Sequence, residues 1–289
     1  MNWVNAIIQG ILLGGLYALF ACGLSLLFGV VRVVNLAHGD FAVLAAYLAL
    51  VVITTTHVPA LLTFVIVAPL FALFGYGVQR LIIQKSLEVS PLTTLLVTFG
   101  LSVVIQNLLL VVASADSHSF DLGSFISASL RVSPELSIGY VPLMIFVTAV
   151  VVLIGLQLFL SRTAMGRAIR ASADDQEASS IAGVNTRHVF GIAAAIAFAT
   201  VALAGLALGS SSSFDPSAGP SRLIFAFEAV IIGGVGSLWG TLVGGIILGV
   251  AQAVGAQIDP SGGVLAGHLV FLAVLALRPQ GLIRARLAV

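Results

Sequence analysis

Seven stretches of this chain contain no Asp, Glu, Lys or Arg: residues 1–31, 41–79, 89–115, 136–161, 188–214, 229–258 and 260–277. About 20 apolar residues carry an α-helix across the hydrocarbon core of a bilayer, and nearly every stretch is that long. The polar–apolar alternation of membrane β-barrel strands is absent. The pattern therefore predicts an all-α, polytopic membrane helical bundle. Its helices are expected at about 4–31, 36–56, 60–80, 92–113, 139–160, 189–209 and 262–277, with His57-Val58-Pro59 dividing the long run 41–79.

Basic residues orient these helices. With the N-terminus outside, Arg32, Arg80, Lys85, Arg162, Arg167, Arg170, Arg187, Arg278, Arg284 and Arg286 fall on the cytoplasmic side, and Arg131 and Arg222 remain outside. That distribution follows the positive-inside bias. It also constrains 223–258, which must leave and return to the same face. A tight pair of spans, or a re-entrant element broken at Gly233-Gly234-Val235-Gly236, satisfies this. The count is then eight to nine membrane segments, including a broken or re-entrant element near 223–258.

Composition agrees. The chain has 289 residues, 60% hydrophobic and 8% charged, whereas soluble domains carry about 25% charged residues. The whole of 1–289 reads as a single transmembrane domain in contact with the lipid bilayer. A net charge of +1 gives no reason to expect nucleic acid. Cys22, the single cysteine, sits in the first apolar run and supplies no disulfide framework. Residues 1–3 lack a basic n-region and the following run is too long for a signal core, so the first segment is expected to stay as a helix.

Helix faces are marked by small residues. Gly10/Gly14, Gly205/Gly209, Gly236/Gly240/Gly244, Gly245/Gly249 and Gly263/Gly267 stand four apart, a spacing that lets helix backbones approach closely. No internal repeat is evident.

The scarce charges gather in Gly166–Val189, GRAIRASADDQEASSIAGVNTRHV, a segment too polar for lipid. It reads as a short capped helix in a cytoplasmic loop at about 162–188. Ser172 with Asp175 has capping-box spacing, Asp174 and Asp175 supply first-turn negative charge, and Gly183 is placed to end the helix. Ala178 and Ala182 give it a small-residue face.

Polar groups inside spans are costly and call for a reason. Asn35, His38 and Asp40 cluster at the start of the second helix, and unwinding at Gly39 would let His38 and Asp40 line one cavity. This group reads either as a gate or as an interfacial hairpin beside Arg32. Glu228 is either a pore site or an outer interfacial residue. Gln106 and Asn107 are suited to hydrogen bonds across helices. Loop 114–137, with Asp116, Asp121, Arg131 and Glu135, is an outer connection able to dock a partner, and 210–220 is a turn-rich outer connection.

Enzyme chemistry finds no support. A P-loop needs Gly-Lys-Ser/Thr, and the one lysine, Lys85, follows Gln84. No second intramembrane aspartate pairs with Asp40, no His-x-x-x-His offers a zinc site, and no Gly-x-Ser-x-Gly occurs. No catalytic residue, metal or cofactor is expected.

The charged loop resembles the coupling loop of ABC importer permeases, with its Gly…Ala…Arg-Ala…Asp…Ala…Gly-Val run. Residues 14–41 (GGLYALFACGLSLLFGVVRVVNLAHGDF), 227–254 (FEAVIIGGVGSLWGTLVGGIILGVAQAV) and 278–283 (RPQGLI) resemble the LivH-type permease subunits of branched-chain amino acid importers. The resemblance covers essentially the whole chain. It implies half of a pore in the bacterial cytoplasmic (inner) membrane, beside a second permease subunit. Two cytoplasmic ATP-binding-cassette ATPases and an extracytoplasmic solute-binding protein would complete the importer. Gly166, Ala168, Arg170, Asp174, Asp175, Ala178 and Gly183 would then couple to the ATPases. The usual cargo of the family is leucine, isoleucine and valine, with urea and short amides carried by related members. A stand-alone channel or gradient-driven carrier is the competing class.

Overall fold

The computed structural model describes residues 3–125, 128–133 and 136–283. Helix α1 (Trp3–Val31) is followed by α2 (His38–Thr56) and α3 (Phe64–Val78). The latter continues through a π-helical turn (Gln79–Ile83) into α4 (Gln84–Leu87). After α5 (Pro91–Ala113), strands β1 (Ser129–Ser133) and β2 (Leu136–Gly139) form an antiparallel hairpin. Then come α6 (Tyr140–Arg162), α7 (Ala164–Asp174), α8 (Gln176–Ile181), α9 (Thr186–Ser211), α10 (Gly219–Gly233), α11 (Leu238–Ile258) and α12 (Gly263–Leu277).

Seven of these units are long and apolar enough to cross a membrane: α1, α2, α3–α4, α5, α6, α9 and α11. Helices α10 and α12 have 15 residues each, about 22 Å, which is short of the ~30 Å hydrocarbon core. The expected break near 223–258 lies at Gly234–Ser237, between α10 and α11. Helix α10 begins at Gly219, earlier than the charge pattern suggested, because Gly219-Pro220 supplies a helix-starting proline in the first turn.

α1 and α9 form the buried centre, and α3, α5, α6 and α12 turn side chains such as Leu73, Val111, Val151 and Leu265 outward, as lipid-facing helices do. Lipid tails are as apolar as leucine, so close packing rather than water exclusion must hold the centre together. The glycine pairs supply it. Gly10 and Gly14 of α1 meet Gly249 and Gly245 of α11, and a Cβ at Gly10 would stand 2.6 Å from Val250 Cα. The four-residue glycine spacing therefore serves packing within the chain here.

Two non-helical segments turn back into the bundle after the two central helices. The first, 32–37, carries the chain from the end of α1 to His38, whose Nε2 lies 2.9 Å from the Phe20 carbonyl. That carbonyl stands 11 residues before the end of α1, about 16 Å along its axis. Non-helical backbone at membrane depth survives where protein covers it and supplies partners. Leu36 N donates to Thr98 Oγ1 (3.2 Å) and Ala37 N to Asn35 Oδ1 (3.0 Å). The second, 212–218, runs beside α2: Phe214 packs on Tyr47 and exchanges backbone hydrogen bonds with His118. It was expected as an outer connection, yet Phe214 and Pro216 are buried. α2 and α10 consequently start inside the bundle, with Gly39 and Gly219 in backbone contact. This shared plan of long helix, re-entrant segment and shorter helix left no trace of repetition in the residues.

Arg32, Arg162 and Arg187 mark one end of the bundle, away from Arg222. Arg32 touches α7, Arg187 pairs with Glu88 across 2.8 Å, and Arg162 closes α6. The positive-inside bias leads one to expect this end on the cytoplasmic side. Arg284, Arg286 and Glu135 lie outside the described residues.

Candidate functional site

The charged loop folds as two helices rather than one. Thr163 caps α7 by accepting from Gly166 N (2.9 Å), and Asp175 caps α8 by accepting from Ala178 N (2.9 Å). Ser172, expected as the cap, is buried within α7. Asp175 outcompetes it because its carboxylate reaches the free amides of the next turn and carries charge suited to a helix start. Gly183, with φ 87°, ends α8 in a left-handed conformation that favours glycine.

Asp174, Asp175, Ala178 and Gly183 are each exposed on the helix pair. Gly166 is not, being enclosed by the Phe159 and Leu160 carbonyls at the α6–α7 turn. Ala168 and Arg170 are half-buried along α7. Ile181, which no sequence motif marks, is 83% exposed at the end of α8. An isoleucine between Ser180 and Ala182 gives a weak signal, since the start of α8 had to be known before its facing was. Arg32 was read for orientation alone, yet its Nη2 donates to the Ala173 carbonyl at 2.7 Å.

Asn35, His38, Gly39 and Asp40 do gather inside the bundle. All three polar side chains are buried. Gly39 is helical and packed against Gly219, so no unwinding brings His38 and Asp40 onto one face. They diverge instead. His38 faces Phe20 on α1, while Asp40 Oδ1 accepts from Gln106 Nε2 of α5 at 2.9 Å. Asn35 Nδ2, His38 Nδ1 and Asp40 Oδ2 remain without partners. Gln106 makes its cross-helix bond, whereas Asn107 returns to Val103 of its own helix.

Glu228 is buried. Its Oε1 meets His268 Nδ1 of α12, a residue that no motif singles out, and the His268 ring stacks on Phe225. Among the described residues no cluster of three His, Cys, Asp or Glu side chains is arranged to hold a metal.

A bundle with re-entrant segments, buried polar groups at their ends and a rigid helix pair on its basic face defines a polytopic membrane transport protein. Residues 6–277 match the family model for the branched-chain amino acid transport system permease component. The chain belongs to that family. It is 31% identical to the high-affinity branched-chain amino acid transport system permease protein BraD of Pseudomonas aeruginosa, over 98% of this chain and 96% of that protein. It is 27% identical to the LivH permease protein of Salmonella typhimurium over the same shares. A fructose import permease of Rhizobium meliloti is 41% identical over 32% of this chain and 27% of its own length. No solved structure matches. Membership and seven membrane-crossing units identify a multi-pass protein of the bacterial cytoplasmic membrane.

Proposed function

We propose that this chain is one half of the pore of an ATP-binding-cassette importer for a small neutral or zwitterionic solute, with branched-chain amino acids favoured over urea and short amides. The observation that carries the reading is the exposure of Asp174, Asp175, Ala178, Ile181 and Gly183 on the helix pair, which is tied through Ala173 to Arg32. An apolar tip within a polar rim is the anatomy of a protein-docking surface. A channel working alone has no use for one on its cytoplasmic end.

In this reading two cytoplasmic ATPases grip α7–α8 and close on ATP. Arg32 passes the displacement to segment 32–37, and Asn35, His38, Gly39 and Asp40 shift against α5 and α10 as a gate. A second permease chain completes the pore, and an extracytoplasmic binding protein delivers the solute. The energy comes from the partners, because this chain carries no P-loop lysine. The names of the full-length relatives favour branched-chain amino acids, and the low charge of the bundle suits a zwitterion.

Recovery of the ATPases with the tagged permease tests the reading. Ile181→Glu, and Asp174→Lys combined with Ala178→Trp, are expected to lower recovery about tenfold or more at equal permease abundance. Unchanged recovery with unchanged ATP-driven uptake rejects the coupling role.

A further inference from the structure

At the end of the bundle opposite the coupling helices, a cleft of about 310 Å³ opens between α1, α6 and the start of α10. Its walls are Leu12, Leu13, Leu16 and Ile145, with Tyr17 and Arg222 among its polar groups and Gln9, Ser211 and Ser212 beside them. The amide of Gln9 donates to the Ser137 carbonyl of β2, which places the outer hairpin against this part of α1. The volume falls in the lower range of small-molecule sites.

Arg222 is half-buried here, and its Nε is enclosed without a hydrogen-bond partner. No carboxylate among the described residues lies within salt-bridge distance of it. Asp215, in the neighbouring re-entrant segment, is engaged instead with the backbone N and hydroxyl of Ser217. Asp215 acts on Arg222 through space without pairing with it, and an enclosed Nε left without an acceptor is costly inside a membrane protein. Its flat fork of donors fits a carboxylate with two parallel bonds. Tyr17 is held in place by donating to Gln252 and by packing on Phe225, so the site has a fixed wall.

We propose that this cleft is an outer station of the solute path, in which Arg222 takes the α-carboxylate of an amino acid and Leu12, Leu13, Leu16 and Ile145 hold its aliphatic side chain. The assignment rests on the importer reading above and narrows its substrate class to solutes bearing a carboxylate. Among the described residues the lining of the cleft holds one cation and no carboxylate, which favours a solute bearing a carboxylate over urea and amides. The same donors fit one competing anion, a lipid phosphate.

The test uses the complete transporter in proteoliposomes, with leucine as probe and wild type, Arg222→Lys and Arg222→Gln at matched abundance. Leucine taken up per ATP hydrolysed is expected to fall about tenfold or more in Arg222→Gln and by much less in Arg222→Lys, with binding-protein-stimulated hydrolysis retained. Unchanged uptake per ATP in Arg222→Gln overturns the assignment. So does a parallel fall in uptake and hydrolysis that tracks the anionic-lipid content, the mark of a phosphate anchor. A wild-type assembly that hydrolyses ATP but moves no leucine overturns the importer reading, and this assignment with it. Arg222→Cys guards against a folding defect, since Cys22 is fully buried. A cationic thiol reagent is expected to restore its uptake and an anionic one is not; equal effects of the two overturn the proposal.

Discussion

Arg32 Nη2 lies 2.7 Å from the Ala173 carbonyl and 3.4 Å from that of Asp174, so the last residue of the α1 turn closes the C-terminal end of α7. A cation at that end meets carbonyls that the helix leaves unpaired. Arg32 itself has φ 59°, uncommon for a residue other than glycine, and this bend sends the chain back into the bundle. One residue thus fixes both the loop and the root of the re-entrant segment. Arg32→Gln loses a charge-assisted bond worth about 1.5–3 kcal/mol. Uptake per ATP is expected to fall about five- to tenfold, with permease abundance and ATPase recovery near wild type. Arg32→Gly, which relaxes the backbone but removes the tie, is expected to lose the same coupling.

Packing of α1 on α11 depends on missing side chains. At Gly14 a Cβ would collide with the Ile246 backbone, whereas at Gly100 it would meet nothing within 4 Å. Overpacking costs about 1–3 kcal/mol, occasionally more, and here both colliding partners are main chain. Gly14→Leu is expected to lower membrane abundance severely and Gly100→Ala to leave it unchanged, by immunoblot and thermal inactivation in detergent.

Glu228 and His268 meet through a side-chain hydrogen bond, with side-chain exposures of 5% and 37%. Removing either partner strands the other, so each single variant, Glu228→Gln or His268→Leu, is expected to lower thermal stability. The double variant is expected to lose less than the sum of the two. A coupling energy of about 0.5–3 kcal/mol is the range for contacting residues, and the exposed side of His268 argues for its lower half. Strict additivity would mean that the contact contributes nothing.

Asp40 holds one cross-helix partner, Gln106. Gln106→Leu strips the buried carboxylate of that donor, at a cost of about 1–3 kcal/mol. Asn107→Leu, one residue away, removes a bond confined to α5 and is expected to be close to neutral. Uptake normalised to abundance separates the two variants.

The spans were legible because runs without charge and basic ends are properties of single segments. The break after Gly233 was legible for the same reason, since charge bookkeeping forced the chain to turn back. The depth of Asn35, His38 and Asp40 was not. Segment 32–37 looks like a surface turn beside Arg32 until Thr98, 62 residues further on, is seen to supply a hydrogen bond to Leu36. His268 was invisible for a related reason: its partner Glu228 lies 40 residues away on another helix. In the loop, composition revealed a capped helical element but not that Asp175 starts a second helix, because Ser172 and Asp175 are both plausible caps and tertiary burial of Ser172 decides between them.

The most direct measurement of the central claim is solute flux in liposomes, comparing the complete assembly with this chain alone. The assembly is expected to accumulate leucine only with ATP and to lose that accumulation in Ile181→Glu, while the chain by itself passes none. Free passage of leucine through the chain alone, with neither nucleotide nor partner present, would contradict the claim.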